Sequence, residues 1–129
     1  MTFSPASGGL CARKTSARRA VAWLVAKLYA FQPVEHSPGE TLAYQLGRCR
    51  KDRDPEKDPV TQRFDRLLTL PIGNLEPSLQ WAIDLVSSHD LKLDWVRLAD
   101  DISFWERETT RLKWAKEFLK TSKEDRYAD

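Results

Sequence analysis

Two histidines, two cysteines, one pair of adjacent aspartates and a scatter of arginines are the groups in this 129-residue chain whose types could do chemistry. His36 lies in a Pro/Gly loop, His89 sits in the stretch Ser87-Ser88-His89-Asp90, and Cys11 and Cys49 are far apart. Zinc sites use His and Cys at short fixed spacings, and no CxxC or HxxxH pair occurs, so no metal is expected. Asp100 and Asp101 would point about 100° apart on a helix and could not share a proton as a catalytic dyad does. Capping, solvation or salt bridging suits them better. There is no GxSxG, no glycine-rich phosphate loop and no HExxH. These residues predict no catalytic centre, no cofactor and no small-molecule substrate.

Positive charge remains. The net charge of +2 divides unevenly: residues 1–51 hold eight Lys/Arg against two Asp/Glu, and residues 52–129 hold thirteen against seventeen. A basic half joined to an acidic half can bind a polyanion on one side and protein on the other. Ordinary solvated surface is the competing reading and, on charge alone, the favoured one. Arg13, Lys14, Arg18 and Arg19 crowd the start of a helix, where cations oppose the dipole at a cost of about 0.3 kcal/mol or more. Either the charge is used or the surface tolerates it. Arg48, Arg50 and Lys51 fall in a last helical turn, where the dipole alone accounts for them. Arg63 and Arg66 share the flank of a further helix. Tryptophan can stack bases, but most of the five lie in or beside apolar stripes and read as core. Trp23 and Trp81 sit off their stripes, available to an interface or a stacking contact.

The elements that must carry these groups are all helical. Thr15 or Ser16 is expected to cap a helix running to Phe31, with Ala17, Ala20, Val21, Leu24, Leu28 and Phe31 on its buried face. Ser37-Pro38-Gly39-Glu40 reads as a capping box for a helix over about 39–50. Asp58 and Pro59 open a third helix with the stripe Val60, Phe64, Leu67, Leu68, Pro71. A fourth, about 75–88, buries Leu79, Ala82, Ile83 and Val86. Asp94 caps a fifth that carries Trp95, Leu98, Ala99, Ile102 and Trp105. Thr109 caps a sixth with Leu112, Ala115, Phe118 and Leu119. Trp95, Trp105 and Trp114 are spaced so that all three rings could enter one core. Nothing alternates with period two, so the expected fold is an all-α, compact bundle of about six short helices. Its expected divisions are a flexible lead-in over 1–14, a basic helical pair over 15–51, and a charged linker or hinge over 52–58. A helical bundle over 59–120 and a polar tail over 121–129 follow.

At this length the chain can bury about two-thirds of its unfolded surface without disulfides or metal. No window approaches the ~20 apolar residues of a membrane span. The first residues lack the charged and apolar regions of a secretory signal, and two distant cysteines suit a reducing compartment, so a cytoplasmic protein is expected.

The same residues carry a resemblance. Val25-Ala26-Lys27-Leu28-Tyr29-Ala30 before a His/Pro loop, and Gly39 with Thr41-Leu42, are similar to segments of the CasB family. So are Arg63-Phe64 with Arg66-Leu67-Leu68, and the run Asp94-Trp95, Asp101, Trp105, Trp114-Ala115 and Phe118. Four such pieces in order span about 17–118. CasB is the small subunit of the type I-E CRISPR surveillance complex, Cascade. The resemblance implies a non-enzymatic helical subunit, usually in two copies, contacting the backbone and large subunits. It also implies contacts to the backbones of guide RNA and target DNA that help hold the R-loop, the guide–target duplex with its displaced strand. Phosphate contact needs cations but no base reading, since pairing with the guide supplies specificity. Arg18, Arg19, Arg48, Arg50, Lys51, Arg63 and Arg66 are the residues expected to make it. A helical protein-interaction module that touches no nucleic acid is the alternative. Against the family pattern, the additional N-terminal helical portion that members usually carry is expected to be absent or reduced to 1–14, Ala43-Tyr44 stands where a Gly-Arg pair is common, and Leu79-Gln80-Trp81-Ala82 holds no arginine where the helix is usually Arg-rich.

Overall fold

Caps and prolines decide where the middle helices begin. Asp58 accepts the Thr61 amide at 2.8 Å through Oδ2, and Pro59 occupies the first turn, opening α3 (Pro59–Thr69). Asp94 accepts the Arg97 amide at 3.0 Å and opens α5 (Trp95–Ser103). Thr41 accepts the Tyr44 amide and opens α2 (Leu42–Arg48). A 3-10 turn at Ile72–Asn74 leads into α4 (Leu75–Ser88), with Pro77 in its first turn. The long α1 (Pro5–Phe31) precedes these helices and α6 (Glu108–Thr121) ends them. This computed structural model describes residues 5–121, with side chains described over 18–120. Among the described residues there is no strand, only an isolated parallel bridge between His36 and Leu93. No described helix is long and apolar enough to cross a membrane. The described residues form the expected all-α bundle, with six helices among them.

Three helix starts differ from expectation. Thr15 and Ser16 lie inside α1, which begins at Pro5; helix formers flank the glycine pair, and two glycines weaken a helix without forcing it to stop. The expected capping box at Ser37–Glu40 is a turn instead. Gly39 adopts φ +88°, which excludes it from a helix, and its amide donates to Asp94 Oδ2 at 2.8 Å. The fold here is set by a residue 55 positions away. The last helix opens at Glu108, so Thr109 is already within it. Arg13, Lys14 and Cys11 lie outside the described side chains.

One core runs through all six helices. The three tryptophans enter it as expected: Trp105 and Trp114 meet edge to face at 5.0 Å, and Trp95 donates its indole N–H to Val34 O at 2.7 Å. Phe64 of α3 stacks on Phe118 of α6 at 4.1 Å. Trp114 and Phe118, one turn apart, fix which side of α6 is inward. Leu112 and Leu119 therefore point outward, 200° and 100° round from those anchors, against expectation. Ala20 and Phe31 are likewise exposed, and the inward face of α1 is Val21, Leu24, Val25 and Leu28. The connection after α1 lies along the segment before α5. Leu93 donates to Glu35 O, Ser37 to Leu93 O and Asp94 to Glu40 O, at 3.0, 3.0 and 2.8 Å.

Candidate nucleic-acid interface

Local structure sorts the cations into those the fold consumes and those it leaves outward. Asp101, 3% exposed, is the centre of the consumed set. Its Oδ1 takes Lys113 Nζ at 2.9 Å with Arg97 Nε at 3.8 Å, and its Oδ2 takes the Trp114 indole N–H at 2.8 Å. Arg97 also reaches Glu117 at 3.4 Å, whose carboxyl burial pushes up while Arg97 opposes the shift. Arg111 donates to the Leu70 and Trp105 carbonyls at 3.3 and 3.2 Å and pairs with Glu106. Lys27 pairs with Glu76, and Lys92 with Glu35. Asp100, the neighbour of Asp101, is exposed, so the two aspartates have separate lives.

The seven sequence-designated cations fall in three places. On α3, Arg63 and Arg66 are exposed and three positions apart, so they share a face. Neither has a carboxylate within 4.0 Å among the described residues. Arg63 lies over the half-buried Trp81 of α4, its guanidinium carbon 4.6 Å from the ring centroid. At the end of α2, Arg48 donates to Gln45 Oε1 at 3.3 Å. Arg50 turns inward: it donates to Phe118 O at 3.1 Å and to Gly47 O at 3.4 Å, with its guanidinium 4.5 Å over the Phe118 ring. It thereby satisfies one of the carbonyls left open at the end of α6. Lys51 is exposed, and its amide donates to Asp58 Oδ1 at 2.8 Å. Burial would raise the Asp58 carboxyl, but the Thr61 hydroxyl and the amides of Lys51, Thr61 and Asp52 outweigh it and hold it below the usual carboxylate range. Cys49, between Arg48 and Arg50, is a free, buried thiol pushed up to about 11 by desolvation.

On α1, Arg18 and Arg19 are exposed. Arg18 lines a cleft of about 780 Å³ with Val21, Leu24, Ile72, Ile102, Phe104 and Arg107. Arg107, which sequence reasoning passed over, lies with its guanidinium 4.3 Å over Phe104. Its only signal in the sequence is an arginine three residues after an aromatic, and that spacing is common. No three His, Cys, Asp or Glu side chains gather in a metal-binding group among the described residues; His36 Nδ1 instead accepts the Trp95 amide at 3.1 Å.

The described helices share one core, and on its outside Arg63 and Arg66 meet no carboxylate within 4.0 Å among the described residues. The chain belongs to the family of the CRISPR-associated protein Cse2, whose family model matches residues 4–119. This is the CasB family, the non-catalytic small subunit of the type I-E Cascade complex. No curated protein matches the chain.

Proposed function

We propose that this subunit grips sugar-phosphate backbone within Cascade and so helps retain the R-loop, with Arg63 and Arg66 as its principal contacts and Arg18, Arg19, Arg48 and Lys51 in support. The carrying observation is the α3 face: two exposed guanidinium groups on one helix with no carboxylate beside them among the described residues. A cation already paired to a carboxylate has little to offer a phosphate, and an unpaired one releases counterions when it meets one. Arg50, held on the Phe118 carbonyl and ring, serves α6 first. Base pairing with the guide supplies the sequence specificity, so contact to backbone is all this surface needs.

The partners that go with this reading are the backbone and large subunits, a second copy of the chain, guide RNA and target DNA. Trp23, 68% exposed on α1, favours protein contact on a separate face. The test is the double reversal Arg63→Glu/Arg66→Glu in reconstituted Cascade. Target-DNA retention should weaken, and the log–log salt dependence should flatten by about two units, one per lost phosphate contact. Unchanged affinity and slope across several salt concentrations would remove these residues from the interface.

A further inference from the structure

We infer that Trp81 is a positioning residue for phosphate binding: its ring holds the Arg63 guanidinium against α4 while leaving Arg63 exposed to a phosphodiester. This rests on the reading of Arg63 as a phosphate contact and adds a residue with no charge of its own. Two features of Trp81 matter. It is half-buried and packs against the core, so the ring is a fixed platform. The Arg63 guanidinium carbon lies over the ring, 4.6 Å from its centroid, while Arg63 itself stays exposed. A guanidinium lying over a ring is held by the ring's electron-rich face, and its five N–H donors all lie in the guanidinium plane. The ring contact engages no carboxylate or carbonyl acceptor, so donors of the fork that matches phosphate remain available.

A free arginine must give up rotamer freedom when it meets a phosphate, and an arginine already laid on a ring gives up less. Trp81 shortens that loss at Arg63. Arg66, one turn further along α3, has no aromatic platform among the described residues and serves as the internal comparison.

The experiment is a double-mutant cycle in reconstituted Cascade loaded with guide RNA, reading retention of a fluorescent target duplex over a salt series. Trp81→Leu keeps an apolar side chain against the core and removes the ring. It should weaken retention by about 2- to 10-fold, the range expected for one side chain that must now be ordered on binding. Its salt slope should match the parent, because the charge is still delivered to the phosphate. In the Arg63→Ala background Trp81→Leu should have no further effect, whereas in the Arg66→Ala background its full effect should persist. Trp81→Phe, which restores an aromatic face, should recover most of the loss. A merely structural role would lower retention equally in all backgrounds and track the loss of thermal stability, and that pattern overturns the inference. The same holds if Arg63→Ala weakens retention and flattens the slope while Trp81→Leu does nothing. If Arg63→Ala itself leaves retention and slope unchanged, the reading of Arg63 as a phosphate contact fails instead.

Discussion

Asp101 and its surroundings, set against the outer face of α3, show what the fold does with positive charge in two different ways. Between α5 and α6, Arg97 and Lys113 converge on one buried carboxylate that also takes the Trp114 N–H. On α3, Arg63 and Arg66 meet no carboxylate among the described residues, and one of them rests on an aromatic ring. The first set ties two helices together where the dielectric is low and an unmatched group is costly. The second set adds little to the fold, because an exposed guanidinium on a ring is worth about 0.5–1 kcal/mol. Residue type does not distinguish the two regions. The neighbours do.

The comparison predicts a graded series of losses. Asp101→Ala should be the most damaging, lowering unfolding free energy by about 2–3 kcal/mol in a chemical denaturation series, since it strands the buried Trp114 N–H and removes the carboxylate that Arg97 and Lys113 share. A loss under 1 kcal/mol would mean that the α5–α6 network is no firmer than a surface pair. Asp58→Ala should cost about 1–2 kcal/mol as a lost cap. That contribution also has a pH signature. The Asp58 carboxyl is held below its usual range, so its stabilisation is complete above the unfolded-state value and is lost as pH falls through the folded one. Denaturation midpoints for Asp58→Asn should therefore depend less steeply on acid than those of the parent. The smallest effect on folding belongs to Arg63→Glu/Arg66→Glu, expected within about 1 kcal/mol of the parent. The weakening of DNA retention by this pair, with folding unchanged, is the sharpest separation of the two regions.

Signals that act within a few residues were readable from the sequence. Asp58-Pro59 marks the start of α3 in two adjacent letters, and the stripe Leu79, Ala82, Ile83 and Val86 states which side of α4 is inward. What was hidden depends on distant partners. Gly39 takes its left-handed turn against Asp94, and that places the start of α2 at Leu42, behind the Thr41 cap. The inward side of α6 follows from the stacking of Phe118 on Phe64 and the Trp114–Asp101 bond, so a stripe read from Leu112 and Leu119 was misplaced. The cationic surface was legible only as a set of letters. Arg50 and Arg63 look alike in sequence, and the turn of Arg50 onto a carbonyl 68 residues away has no local sign. Trp81, set apart by its off-stripe position, was visible as an oddity but not as the seat of Arg63.

The Asp94 carboxylate divides its two oxygens between the Arg97 amide at the head of α5 and the Gly39 amide in the connection after α1. Its carboxyl is held below the usual range against a burial effect that would raise it, by those two amides first and by the Val96 amide. A single protonation there removes the charge that both attachments share and weakens them together. Acid strong enough to protonate a carboxyl held below the usual carboxylate range is thus expected to unlatch the crossing of these two segments as one cooperative unit, detectable as faster amide exchange at Gly39 and Arg97 together while the Phe64–Phe118 region stays protected.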